Sequence, residues 1–153
     1  MTTTSDTRSK VVPHISSATA GPLGALHLPR LWAKLTLGAA GKLPEDYDEC
    51  GTGFDQMTLT NLNLDRSKTM EYVRAQKPTY LQFERWVVQQ NGGKLDPQAV
   101  QKHNDAIRGY NHNDELAAKM RSACGLDDAN VKDAVTLNNL EDLDSLHQQV
   151  ARA

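Results

Sequence analysis

The sequence predicts an all-α fold, and three observations carry that prediction. Apolar residues recur at helical spacing, as in Leu31, Leu35 and Ala39, or in Val100 and Ile107. Helix start signals stand just before such stripes: Pro29 after Leu28, Thr79 three residues ahead of Gln82, and Asp96 directly before Pro97. Val-rich alternating runs are missing from the chain, as is any Asn-Gly or Asp-Gly hairpin signal between alternating runs. The expectation is a single compact domain of six or seven irregularly packed helices over residues 21–153. A flexible N-terminal arm, residues 1–20, precedes it; the arm is rich in Ser and Thr and holds one small apolar cluster, Val11, Val12 and Ile15.

The elements follow in order. Pro29 suits the first turn of a helix, where its missing N–H is no loss, and Gly41 is placed to end that helix. A loop from Leu43 to Gly53 carries Pro44, several acidic residues and two glycines. Phe54, Met57 and Leu62 suggest a short helix with Asp55 near its start, and Asp65 caps another through Met70 and Val73. Thr79 to Gln82 is a capping box, opening a helix with Phe83, Trp86, Val87 and Val88 that Gly92-Gly93 stops. The helix begun by Asp96-Pro97 is expected to reach Arg108, with Gly109 in the left-handed position beyond it. Asn113 then caps a helix ending near Gly125. Last comes a leucine-rich helix, Leu137, Leu140, Leu143, Leu146 and Val150.

Composition narrows the function classes. A chain of 153 residues buries roughly 70% of its unfolded surface and requires no disulfide or metal staple. Its apolar fraction is only 39%, with two Phe and two Trp, so the core rests on Leu, Val and Ala and leaves room for homo-oligomer formation. Seventeen basic and nineteen acidic residues are well mixed and give a net charge of −2. A nucleic-acid partner would need a clustered basic face, and a membrane surface a polybasic run. Neither is present, nor is an apolar run near the ~20 residues of a membrane span. Cys50 and Cys124 form no Cys-x-x-Cys pair, and the first twenty residues lack a signal-peptide apolar core, so a cytoplasmic location is expected.

Side chains that titrate or ligate are densest in His103-Asn104-Asp105 through His112-Asn113-Asp114. At about 100° per residue, Val100, His103 and Ile107 fall within about 60° of one another, with Asn104 beside them. Such a buried-side His–Asn pair must be hydrogen-bonded inside. A break at Gly109 would let His103 and His112 converge; a core histidine satisfied by a backbone carbonyl is the plainer alternative. The Tyr47 to Asp55 loop is a second candidate, because glycines let the backbone approach a ligand and Asp55 is placed to orient an imidazole. Asp55 as a mere helix cap is the alternative there. Cys50 sits among Asp46, Asp48 and Glu49, which oppose a reactive thiolate. No cofactor is identified: His27, Asp55, His103 and His112 make a divalent-metal set only if folding gathers them.

The run His27-Leu28-Pro29-Arg30-Leu31-Trp32-Ala33-Lys34, then Gly41 and Tyr47, then Gly53-Phe54-Asp55, resembles a bacterial domain-of-unknown-function family, number 5069. Trp86 and His103-Asn104 extend the likeness, which covers about Leu28 to Leu126. The resemblance implies a small, mostly helical protein and assigns no reaction.

Two functions are expected from these residues. One is a small-molecule site for a small polar substrate, lined by His27, Arg30, Tyr47 and Asn104, with His103, His112 and Asp55 supplying acid–base chemistry of lyase, isomerase or hydrolase type. In it Arg30 would hold an anionic group and Asp55 would orient the working imidazole. The other is a non-catalytic protein–protein interaction module that docks through the leucine-rich C-terminal helix.

Overall fold

The computed structural model describes residues 10–151. Among them are seven helices: α1 (Leu28–Ala39), α2 (Phe54–Asn61), α3 (Arg66–Gln76), α4 (Tyr80–Gln90), α5 (Pro97–Gly109), α6 (Asp114–Cys124) and α7 (Ala134–Ala151). No strand occurs among the described residues; the one extended pairing is an isolated antiparallel bridge between Asn111 and Asp133. The fold is all-α.

The predicted caps are the physical ends of these helices. Asp65, Asp96 and Asn113 each accept a backbone N–H from the first turn they precede. Thr79 and Gln82 close a reciprocal capping box at the head of α4. Gly125 ends α6 with a left-handed φ of 76°, a conformation glycine adopts without steric cost. Gly109 departs from expectation. It is the last helical residue of α5, and Tyr110 turns the chain away in extended conformation.

One face of α1 supplies the main core. Leu28, Leu31 and Leu35 pack with Leu59 and Leu62 of the α2 region, Val73 of α3, and Phe83 and Val87 of α4. A smaller cluster of Leu26, Phe54, Ile107 and Ala134 joins the heads of α1, α2 and α7 to α5. The cleft described below opens over that second cluster.

Two segments differ from the sequence expectation. Of the arm expected over 1–20, residues 1–9 lie outside the described residues, while the part from residue 10 packs against the helices. Val12 and Ser17 are buried, the carbonyls of Pro13 and Ile15 accept from Arg30, and Thr19 O accepts from His27 N. The packed domain therefore begins ahead of residue 21. In α7, Leu137 is buried but Leu143, Leu146 and Val150 are exposed. Steps of three residues drift about 60° backwards around a helix, so Leu143 and Leu146 have rotated off the face that Leu137 buries.

Among the described residues no helix is long and apolar enough to cross a membrane.

Candidate functional site

A cleft of about 430 Å³ lies where the heads of α1, α2 and α7 meet the α5–α6 connection, a size that suits a small ligand. Its floor is polar and buried. His27 caps α1 from the positive-φ region (φ 68°, ψ −20°) and is 2% exposed. Its Nε2–H donates to Asp55 Oδ1 at 2.7 Å, and its Nδ1 accepts from the Ser17 hydroxyl at 2.9 Å. The other carboxylate oxygen of Asp55 accepts from Lys34 Nζ at 2.5 Å and from Gly51 N at 2.7 Å. Asp55 is thus no helix cap; the N-cap of α2 is Gly53, with no side-chain cap. One buried carboxylate ties together the first helix, the glycine loop and the head of α2.

Electrostatics assigns the charges. Burial by itself would raise the Asp55 carboxyl, but the hydrogen bond from His27 and the Lys34 ammonium outweigh it, and the group stays ionised well below the usual carboxylate range. Burial lowers His27, outweighing the pull of Asp55 in the other direction, so its imidazole is neutral. Both of its ring nitrogens then face protein partners. Lys34 differs. Its side chain is 11% exposed, yet Asp55 is its one hydrogen-bond acceptor among the described residues. Lys34 lines the cleft, and its ammonium has three N–H donors against that one protein acceptor.

The wall is an aromatic row. His27 and Phe54 lie 5.5 Å apart by ring centroid, Phe54 and Tyr110 5.5 Å, and Tyr110 and His112 6.0 Å. His112 is presented by backbone pairing: His112 N donates to Lys132 O, and Ala134 N to Tyr110 O. Its Nε2–H donates to Asn138 Oδ1 of α7 at 3.1 Å. That bond orients the ring and leaves Nδ1 without a protein partner among the described residues.

The rim is acidic. Asp46, Asp48 and Glu141 line it, and none pairs with a cation among the described residues. Arg30 reaches the cleft lining but is already occupied. Its NH1 donates to Pro13 O, Ile15 O and Asp142 Oδ2, and its NH2 to Asp142 Oδ1. Tyr47 OH donates to Asp142 as well, at 2.7 Å. Burial and, beyond it, the Asp142 charge push that phenol above its ordinary range. Arg30 and Tyr47 therefore both bind Asp142 of α7, and the Arg30 charge expected to seat an anionic group is already matched by that carboxylate.

Of the seven residues singled out in the sequence, His27, Arg30, Tyr47, Asp55 and His112 line this cleft. His103 and Asn104 do not. His103 is fully buried: Nε2–H donates to Leu26 O at 2.8 Å and Nδ1 accepts from Asn61 at 3.0 Å. Burial lowers its pKa and keeps it neutral. Asn104 Oδ1 accepts from Leu26 N at 2.9 Å, and its Nδ2 donates to Gly24 O at 2.8 Å. The convergence of His103 with His112 does not occur, because α5 runs unbroken through Gly109 and points His103 into the core. Nor do His27, Asp55, His103 and His112 gather as a ligand set: among the described residues no group of three His, Cys, Asp or Glu side chains is placed to hold a metal ion.

Lys34 and Ser17 were not singled out as site residues. The signal for Lys34 was present: His27, Arg30 and Lys34 stand at i, i+3 and i+7, one face beside the Leu28, Leu31, Leu35 stripe. Ser17 had no local signal, because only tertiary packing carries it to His27.

A family model described as Domain of unknown function (DUF5069) matches residues 15–146, a span that includes every group of the cleft named above. No curated protein matches the chain.

Proposed function

The chain belongs to the DUF5069 family, and we propose that its cleft binds a small polar molecule and carries out proton-transfer chemistry on it, of lyase, isomerase or hydrolase type. One observation carries the reading: a buried ammonium with more donors than protein acceptors and an imidazole with one ring nitrogen unengaged by protein line the same cleft. In this reading His112 Nδ1 takes a proton from the ligand as general base. The Lys34 ammonium faces the oxygen on which negative charge develops and stabilises it in a low-dielectric floor. Asp55 holds Lys34, and His27, with both nitrogens engaged, holds Asp55. His103 and Asn104 stand outside this chemistry, and Lys34 takes the place that Arg30 was expected to fill.

Charge selects the ligand. The lining carries two cations, Arg30 and Lys34, each already matched by a carboxylate, while Asp46, Asp48 and Glu141 are unmatched among the described residues. A ligand with a basic group at the rim and a hydrogen-bond acceptor at the floor satisfies both ends. Titration of isotope-labelled protein with ethanolamine, small amino acids and amino sugars, against carboxylic acids of equal size, tests this by NMR. The expected result is saturable shifts at Thr52–Asp55 and Tyr110–His112 for the amines, lost in Lys34→Met and weakened in Asp48→Asn. Shifts elsewhere, or for the acids alone, overturn it.

The interaction-module reading draws on a different observation: Leu143, Leu146 and Val150 are 56%, 38% and 72% exposed on one side of α7. Sedimentation over a dilution series separates the two readings. A concentration-dependent dimer abolished by Leu143→Asp favours the module.

A further inference from the structure

His27 is a non-glycine residue held at φ 68°, a conformation that persists only where its surroundings over-determine it. The segment before it is pinned from behind by two consecutive residues of α5. Asn104 bridges Gly24 O and Leu26 N, and His103 donates to Leu26 O. Three backbone groups within three residues are thereby held by side chains, immediately ahead of the strained position. His103 does more. Its other nitrogen accepts from Asn61, the last residue of α2, and the first turn of α2 carries Asp55. One neutral imidazole thus connects the segment that presents His27 to the helix that presents its partner.

We infer that His103 and Asn104 are positioning residues, which set the His27–Asp55 bond and through it the aim of Lys34 into the cleft. The dense polar stretch on α5 is the rear support of the site, one layer behind its floor. Its functional meaning rests on the proton-transfer reading above, but the geometric claim is read without any ligand.

The test follows the His27 imidazole by NMR. In the wild type, a buried Nε2–H bonded to a carboxylate gives a downfield proton that exchanges slowly with solvent. Asn104→Ala is compared with Asn61→Ala, a milder change that removes only the anchor to α2, and with Val87→Ala, which weakens the core without touching Gly24–His27. The expected result is that both Asn variants, folded by their amide spectra, shift the His27 Nε2–H signal and speed its exchange by about tenfold or more through local opening. Val87→Ala leaves the signal in place. An unchanged His27 signal in the folded Asn variants, or an equal response to Val87→Ala, overturns the inference. If His27 responds while none of the small amines binds, positioning stands and the ligand reading alone fails.

Discussion

Asp55 receives hydrogen bonds from a helix cap, a helix interior and a loop amide, and it is the residue on which the site depends. Removing it leaves Lys34 buried without its counter-charge and His27 without an acceptor. Breaking a buried pair from one side destabilises by about 3–5 kcal/mol, so Asp55→Ala is expected to lose that much in urea denaturation. Asp55→Asn keeps the shape but not the charge, and its cost falls mainly on Lys34. A loss below about 1 kcal/mol in the alanine variant, the range of exposed pairs, would show that the floor is open to water. The residue types at this site were legible: a His beside a Leu-Pro-Arg helix start, and an Asp at the head of a short helix. Their partnership was not, because twenty-eight residues separate them and no periodicity spans that distance.

At the scale of elements, α7 is held to α1 by one polar clasp. Arg30 and Tyr47 converge on Asp142, which is 4% exposed in the middle of α7. In the sequence Asp142 reads as part of a solvated charge run with Glu141 and Asp144. In the structure it is turned inward, on the side of α7 that meets Arg30 and Tyr47, while Leu143 and Leu146 point to solvent. Asp142→Ala strands the buried guanidinium and is expected to cost about 3–5 kcal/mol. Because α7 also carries Asn138, which orients His112, the same substitution is expected to disturb the His112 resonances. Arg30→Met with Asp142→Leu is expected to recover most of the stability. No recovery in that pair would mean that the carbonyl bonds from Arg30 to Pro13 and Ile15, rather than the ion pair, hold the N-terminal segment.

For the molecule as a whole, the buried titrating groups set the response to acid. His27 and His103 are both lowered by burial, so below the ordinary imidazole value of about 6.5 the unfolded chain binds more protons than the folded one. Stability from these groups is full above that pH and falls as pH drops through it. Asp55 is held below its ordinary value, so its contribution is present above about pH 4 and is lost on further acidification. The expected profile of thermal stability is a first decline below about pH 6.5 and a second below about pH 4. His103→Gln should flatten the first decline relative to the wild type. A profile level from pH 7 to 5 would contradict the neutral, buried state of the two imidazoles.

The all-α class, a count of six or seven helices and the capped starts of α3 to α6 were determined by the sequence alone, since caps and 3.6-residue stripes are local and each is read within a few residues. Glycine position was less decisive: Gly109 was expected in the left-handed position beyond α5, but it is the last helical residue and Tyr110 makes the turn. His103 and Asn104 were legible as a buried polar pair in need of partners, and the sequence offered the core-histidine reading beside the catalytic one. Tertiary structure decided between them, because the partners are backbone groups of Gly24 and Leu26, nearly eighty residues away. It also decided that Arg30, at the cleft lining, is paired with Asp142 and that Lys34 is paired with Asp55. Hydrogen-bond satisfaction is a sum over everything a group touches after folding, and most of what these side chains touch lies far off in the chain.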